Sequence, residues 1–385
     1  MQPIKGFKDF TGKDAEKRAV ITEVVKNVFQ RYGFQPAETP VLEAEEFVRG
    51  DNKNDEAVSD IYTLKDKGNR KLALRYEFTF QLRRLMKNQK LPFKRFQIGP
   101  VFRDEPIKGN RLRQFTTCEA DILGGGLKEE AEIFGVITNI LTGLKINGTF
   151  YMNNRKLLNE ILEEQKVKKK DFEQVIREID KLDKLSEKEV KKNLEKFNAG
   201  NVLKIFKKKE EYFKKYKAYS EIEELKKYCS YYGIKFIFAP YLARGLSYYN
   251  GTVFEFKSNK IKETICGGGA YEFNGIRGIG FGVSIDRLSV ITNLEIKLDK
   301  ILIVSLEQDK QAISLAQNIR KQGKIVSIFY GKPSKALEYA NSYGYKKVIF
   351  VGKKETEKKK IKIKDLKTGK ETFILIEKAK KDLKE

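Results

Sequence analysis

The chain has 385 residues, 40% of them hydrophobic, which is too long for one ordinary core and predicts two or three domains. Its 78 Lys and Arg against 53 Asp and Glu leave a net charge of +25, as in a protein that meets a polyanion such as nucleic acid, or one with a lysine-rich coat. Histidine is absent, which excludes a Ser-His-Asp triad, a Cys-His pair, an HExxH metal site and an imidazole base, and leaves arginines, carboxylates and Mg²⁺ to do any chemistry.

Residues 14–32 predict an amphipathic helix, with Val20, Val24, Val28 and Tyr32 along one stripe and Ile21 and Val25 beside it. Pro36 and Pro40 punctuate an extended segment after it, and "KLALRYEFTF" reads as a strand leading into a basic helix. "FKRFQIGPVFRDEP" and "RQFTTCEADILG" alternate as two antiparallel strands joined by the loop "PIKGNRLR". A helix over "LKEEAEIFGVITNILTGL" and a strand over "GTFYMNN" follow. From Arg155 to about Tyr228 the chain reads as helical and charged. "KFIFAPYLARGL", "GTVFEFK" and "ETICGGG" return to strands, and "GIGFGVSIDRLSVITNL" is a glycine-rich strand entering a helix. Past a boundary near 296–300, strand and helix alternate before a hairpin over "KIKIKDLKTGKETFILI", which predicts a small α/β domain with a mostly parallel sheet. No apolar run approaches membrane-span length and "MQPIKGFKDF" has no signal-peptide core, so a soluble, cytoplasmic protein is expected. Cys118, Cys229 and Cys266 are far apart with no CxxC, which argues against a disulfide framework or a cysteine zinc site.

Four stretches carry possible chemistry. In "VFRDE" (101–105), Arg103 and Glu105 share a strand face and could hold a phosphate or carboxylate and a base or metal, or simply pair with each other across the sheet. In "GIGFGVSIDRL" (278–288), glycines admit a planar ligand and Arg287 sits at a helix start that favours phosphate; tight strand packing is the plainer alternative. In "ALRYEFTF" (73–80), Glu77 and Thr79 on one strand face could accept from an ammonium group, or be solvated. In "LARGLSYYNGTVFEF" (242–256), a cation and two phenols stand between glycines at a strand start, with Val253 and Glu255 on one face of the strand. An exposed strand end would look the same.

Taken together and in order, these pieces resemble the class II aminoacyl-tRNA synthetases, and among them the histidyl-tRNA synthetase family. "GFQPAETPVLE" is similar to motif 1, "VFRDEPIKGNRLRQF" to motif 2 and "GFGVSIDRL" to motif 3. "LARGLSYYNGTVFEF" is similar to the family signature LxRGLDYYTG, and "CGGGAYE" to GGRYD. "LRYEFT", "NNRKLL" and "EIDKLDKL" match the archaeal and eukaryotic branch. The resemblance covers nearly all the chain and is weakest over 160–235.

The fold it implies is an α+β catalytic domain on an antiparallel sheet (1–154 and 236–296), a helical insertion (155–235) and a C-terminal α/β anticodon-binding domain (300–385). The activity it implies is ATP-dependent activation of L-histidine and transfer to its tRNA, with Mg²⁺. Arg103 would contact the α-phosphate, Glu105 the adenine side, Arg113 the nucleotide as well, Arg287 the γ-phosphate, and Arg244 the α-phosphate with the amino-acid carboxylate. Glu77, Thr79 and Thr117 would take the ammonium, and Asp121 would face the imidazole with Tyr248, Tyr249 and Tyr271. Arg111 and Arg113 would meet the tRNA acceptor stem, and motif 1 implies a homodimer. No protein metal ligand is assigned. Thr117 stands where the family has glutamine, Ser247 where it has aspartate, and Ala270 where it has arginine. Asp104 stands where the family has histidine, and Thr116 where it has an aromatic or histidine. The competing readings are a catalytically inactive paralogue, such as the ATP phosphoribosyltransferase regulatory subunit in the same family, and an RNA-binding protein on this scaffold.

Overall fold

The computed structural model describes residues 1–50, 56–107, 111–183, 185–295 and 298–381. Residues 108–110 of the predicted loop and residues 296–297 of the predicted boundary lie outside them. The chain forms two compact units, Met1–Leu294 and Glu295–Glu385.

The first unit contains strands β1 (Gln35–Pro36), β2 (Leu42–Ala44), β3 (Thr63–Lys65), β4 (Lys71–Leu74), β5 (Phe93–Phe102), β6 (Gln114–Leu123), β7 (Thr149–Asn154), β8 (Phe236–Phe238), β9 (Tyr249–Lys257), β10 (Cys266–Phe273) and β11 (Ile276–Ser284). Eight of them make one sheet in the order β1-β5-β6-β11-β10-β9-β7-β8, and β2-β4-β3 make a small second sheet. The large sheet is antiparallel except at its two edges, where β1 joins β5 and β8 joins β7 in parallel. A parallel pair needs a long crossover. For β7 and β8 the helical stretch 155–235 supplies it.

Period-two alternation divides the sheet's faces. On β6, Cys118, Ala120 and Ile122 enter the main core, as do Ile279, Phe281 and Val283 of β11 and Phe254 and Phe256 of β9. Two helices cover this face. Gly12–Arg31 buries Ile21, Val25, Val28 and Phe29, and Leu127–Gly143 buries Ile133, Phe134, Val136, Ile137, Ile140 and Leu141. The buried stripe of the first helix is thus rotated by about one residue from the predicted one: Val20 and Val24 are only half-buried because Phe29 occupies the centre of the contact. Apolar residues of 155–235, among them Leu158, Ile176, Leu194 and Leu225, continue into the same core. The alternate residues, Thr117, Glu119 and Asp121 on β6 and Gly278, Gly280 and Gly282 on β11, look to the opposite face, where the cleft lies.

Three predicted strands end early. "KFIFAPYLARGL" is a strand only over Phe236–Phe238, so Arg244 lies on the segment after it. "KLALRYEFTF" is a strand only to Leu74, and Thr79 opens the helix Thr79–Leu85. Arg75 turns the chain inward by donating to the carbonyls of Thr39 (2.7 Å) and Pro100 (2.9 Å). Glu77 and Thr79 therefore share no strand face. β5 ends at Phe102, so Arg103 and Glu105 lie just beyond it, although the Arg103 amide still donates to Arg113 O at 2.8 Å.

The second unit carries β12 (Lys300–Ser305), β13 (Ile325–Tyr330), β14 (Lys347–Val351), β15 (Lys360–Asp365) and β16 (Glu371–Leu375). They order as β13-β12-β14-β15-β16, with the first three parallel and the last two added as an antiparallel hairpin. Helices Asp309–Lys321 and Pro333–Ser342 connect the parallel strands, as the alternating pattern predicts.

Candidate active site

The cleft has two chambers that share walls. The inner one, about 160 Å³, is lined by Glu77, Thr79, Thr117, Glu119 and Asp121 together with Tyr248, Tyr249, Tyr271 and the glycines of β10 and β11. The outer one, about 300 Å³, is lined by Asp60, Glu105, Arg111, Asp180, Glu255 and Asp286. Arg103, Arg244 and Arg287 stand in the walls of both.

Three buried carboxylates converge on the inner chamber. Asp121, 2% exposed, pairs with Arg95 at 2.7 Å and accepts from the Tyr271 hydroxyl at 2.5 Å. Burial pushes the Asp121 carboxyl up and Arg95 pulls it back. Glu119 accepts from the Phe78 amide at 3.1 Å, and burial raises its pKa to about 7. Glu77 is 4% exposed and accepts from the Tyr248 hydroxyl at a long 3.4 Å, while its Oε1 has no partner among the described residues. Burial first, then the Glu119 charge, lifts it to about 8. A buried carboxylate oxygen without a donor is costly unless a ligand supplies one. The aromatic wall beside it is continuous: ring centroids are 4.7 Å apart for Tyr248–Tyr249 and 5.9 Å for Tyr248–Tyr271.

The space in this chamber is made by glycine. A Cβ on Gly280 would stand 2.1 Å from Asp121 Oδ1, and one on Gly267 would stand 2.4 Å from Arg244 Nη1. Replacing Gly280 with alanine is expected to displace Asp121 and raise the KM for the small substrate by roughly tenfold, the scale of the ~1–3 kcal/mol that overfilling a packed site costs. Steady-state kinetics checks this.

The outer chamber is an arginine cluster. Arg103 donates from Nε to Tyr76 O at 3.2 Å and approaches Glu105 at 3.6 Å. Arg111 holds Glu105 at 2.6 Å. Arg287, on the helix Ile285–Ile291, donates to Thr264 O, and burial together with Arg111 and Arg103 pushes its pKa below the ordinary value. Cations crowded this way suit an anion of several charges. Arg244 has a left-handed backbone (φ 62°) and pairs with Glu255 of β9 at 2.8 Å. The helix bearing Arg287 is fixed from behind. Asp286 takes Arg18 at 2.6 Å and the Thr116 amide at 3.0 Å.

The residues singled out in the sequence thus assemble with one exception. Arg113 stands outside both chambers and binds Asp104 at 3.0 Å. Thr117 lines the inner chamber, and its hydroxyl donates to Val283 O at 3.5 Å. Sequence reasoning missed Glu119, Arg95 and the pairing role of Glu255. Glu119 was within reach, because it lies midway between Thr117 and Asp121 in the period-two pattern. Arg95 and Glu255 are recognisable only once β5, β6 and β9 are placed.

A carboxylate-lined inner chamber thus opens on an arginine-lined outer one. The family model described as histidyl-tRNA synthetase matches residues 6–288. The chain belongs to the histidyl-tRNA synthetase family. A second family model, described as an anticodon binding domain, matches residues 298–385. Among curated relatives, histidine--tRNA ligase 2 of Shouchella clausii is 30% identical over 97% of this chain and 98% of its own. Histidine--tRNA ligase of Methanocaldococcus jannaschii is 31% identical over 98% of each. The fold is that of the crystal structure of histidyl-tRNA synthetase from Nostoc sp. PCC 7120, with a TM-score of 0.84 at 23% identity, covering 99% of this chain and 98% of that one. In the family's terms, the antiparallel sheet is the class II catalytic platform and the second unit the anticodon-binding domain.

Proposed function

We propose that this chain ligates L-histidine to its cognate tRNA at the expense of ATP, through a histidyl-adenylate. The observation that carries the reading is the buried Glu77 carboxylate, whose Oε1 has no partner among the described residues, in a chamber that opens onto Arg103, Arg244 and Arg287. One end fits an ammonium group and the other a carboxylate and phosphates, which is the charge order of an amino acid meeting ATP. Glu77, Thr79 and Thr117 take the α-ammonium. Asp121, with Tyr271 and Tyr248, takes the imidazole, while Glu119 adds negative charge beneath it. Arg244 spans the substrate carboxylate and the α-phosphate, Arg103 the α-phosphate, and Arg287 the γ-phosphate. Glu105 faces the adenine.

The first step needs no general base, because the substrate carboxylate is already the nucleophile. Its oxygen forms a bond to the α-phosphorus as the bond to pyrophosphate breaks. The protein's part is to align the two and offset the charge. Mg²⁺ takes one or two carboxylates plus phosphates. Asp60 in the outer wall would supply such a carboxylate, and the metal would neutralise charge on the phosphates. Such a pocket rejects apolar amino acids: their ammonium could still meet Glu77, but their side chains would offer no hydrogen bond to the buried polar groups around Asp121.

Pyrophosphate exchange into ATP across a panel of amino acids tests the reading: exchange with histidine alone is expected. No exchange, with tRNA binding intact, would favour the RNA-binding alternative. The family match and its relatives named as ligases favour the enzyme over a regulatory paralogue.

The basic surplus serves the tRNA. Arg111, the lysine-rich 155–235 and the second unit are its proposed contacts. Affinity is expected to fall about 10³- to 10⁵-fold between 50 and 200 mM salt if roughly 6–10 phosphates are engaged. Filter binding at several salt concentrations checks this, and a flat profile would contradict it. No helix among the described residues is long and apolar enough to cross a membrane, in keeping with a cytoplasmic role. A homodimer through the motif 1 segment, where Val41 and Leu42 are exposed, completes the proposal.

A further inference from the structure

We propose that Glu255 is the positioning residue that holds Arg244 at the reacting centre. This rests on the synthetase reading above. The family pattern RGLDYY has an acid three residues after the arginine, and this chain has Ser247 there. A guanidinium on a short segment, with several rotatable bonds, needs a fixed partner if it is to meet a carboxylate and a phosphate at once.

One contact places that partner on β9, and two further observations show that the position of Arg244 is constrained. Glu255 Oε1 lies 2.8 Å from Arg244 Nη1. Its other oxygen is held by the Thr264 hydroxyl at 2.9 Å and Lys257 at 3.2 Å, so the carboxylate is itself immobilised. Burial pushes Glu255 up, but Arg244 and Lys257 outweigh it and keep the carboxylate ionised. Next, Arg244 has a left-handed backbone (φ 62°), a conformation that an ordinary side chain keeps only where its surroundings demand it. Finally, the room for the guanidinium is reserved by Gly267 of β10, where any Cβ would stand 2.4 Å from Nη1 and 2.7 Å from Cζ. Glu255 and Gly267 are register partners on adjacent strands. The clamp and the space beside it are therefore set by one step of the sheet rather than by the loop that carries Arg244. Nη1 is spent on Glu255, which fixes the plane of the guanidinium, and Nε is buried with no partner among the described residues.

The test measures kcat per active site, counted by the burst of adenylate, in histidine-dependent exchange. Glu255→Gln is nearly isosteric but removes the charge. It is expected to lower kcat roughly 10- to 100-fold, the cost of a reacting group held about 1 Å out of place, with the KM for histidine and ATP within about threefold. Glu255→Asp should recover part of the loss. In an Arg244→Lys background, Glu255→Gln should cost little more, because its effect passes through the arginine. Thermal unfolding is followed in parallel. A merely structural role would lower the melting temperature and the count of active sites while leaving kcat per site unchanged, and that result would overturn the proposal. So would full additivity with Arg244→Lys. If the unmodified protein showed no histidine-dependent exchange, the synthetase reading itself would fall, a result distinguishable from either of these.

Discussion

Replacing Arg103 with glutamine is expected to lower histidine-dependent pyrophosphate exchange by about 10³-fold or more, the scale on which enzymes lose rate when a fixed donor to a reacting oxyanion or phosphoryl group is removed. The reason is geometric. Arg103 is in the wall of both chambers, and its Nε is committed to Tyr76 O, which leaves the outer edge of the guanidinium for the ligand. The Phe115 ring, 5.4 Å away, backs it. Charge builds on the α-phosphate as the carboxylate attacks, so the loss should appear mainly in kcat, with a smaller change in the KM for histidine. Lysine at this position keeps the charge but loses the planar pair of donors, and should recover only a small part of the rate. Exchange kinetics on both variants decides it; activity within tenfold of the parent would remove Arg103 from the reacting centre.

Replacing Glu77 with glutamine should move binding and stability in opposite directions. In the unliganded protein the Glu77 pKa lies at about 8, raised by burial and then by Glu119. An unfolded-state carboxyl titrates near 4.3. The folded state therefore binds the proton more tightly, and the stability this confers is present in full below the unfolded value. It is lost as the pH climbs through the folded one, at up to about 1.4 kcal/mol per pH unit across that window. Glutamine mimics the protonated form and escapes the loss. The variant should melt higher than the parent at pH 8, with the gap closing toward pH 5. The ammonium of histidine, however, requires the carboxylate. Removing it should weaken histidine binding by roughly 30- to 160-fold, matching ~2–3 kcal/mol for a charged hydrogen bond in a buried site. It should also abolish a proton release that calorimetry in buffers of different ionisation enthalpy would detect near pH 7. A variant that bound histidine normally would exclude Glu77 as the ammonium partner.

Much of the site was legible because its motifs are short and each is local in the chain. Arg287 follows a glycine-rich strand directly, and the tyrosine pair follows Arg244 by four and five residues, so the resemblance to the family carries their roles over position by position. Strand alternation failed at Glu77 and Thr79. The strand stops at Leu74 because the Arg75 side chain bonds to Thr39 O and Pro100 O, groups far away in the chain that no local pattern announces. The first helix was found, but its buried stripe was misjudged because the sheet residues Phe96 and Phe281 draw Phe29 to the centre.

By itself, the sequence determined what chemistry was open to this protein. The absence of histidine removed imidazole catalysis. The ordered motifs implied the class II platform, and the alternating strands and helices after residue 300 implied the α/β sheet. The first and the last are properties of composition and of short-range periodicity, which survive without knowledge of neighbours, while the platform is what the resemblance to the family implies. Only the tertiary structure decided which charges meet. Asp121 faces Gly280 across the β6–β11 ladder and accepts from Tyr271, 150 residues away in the chain. Arg95 is drawn in from β5 to balance it, and Glu255 reaches back to Arg244. Such pairings depend on strand order and register, because electrostatic coupling falls with distance in space and not along the chain.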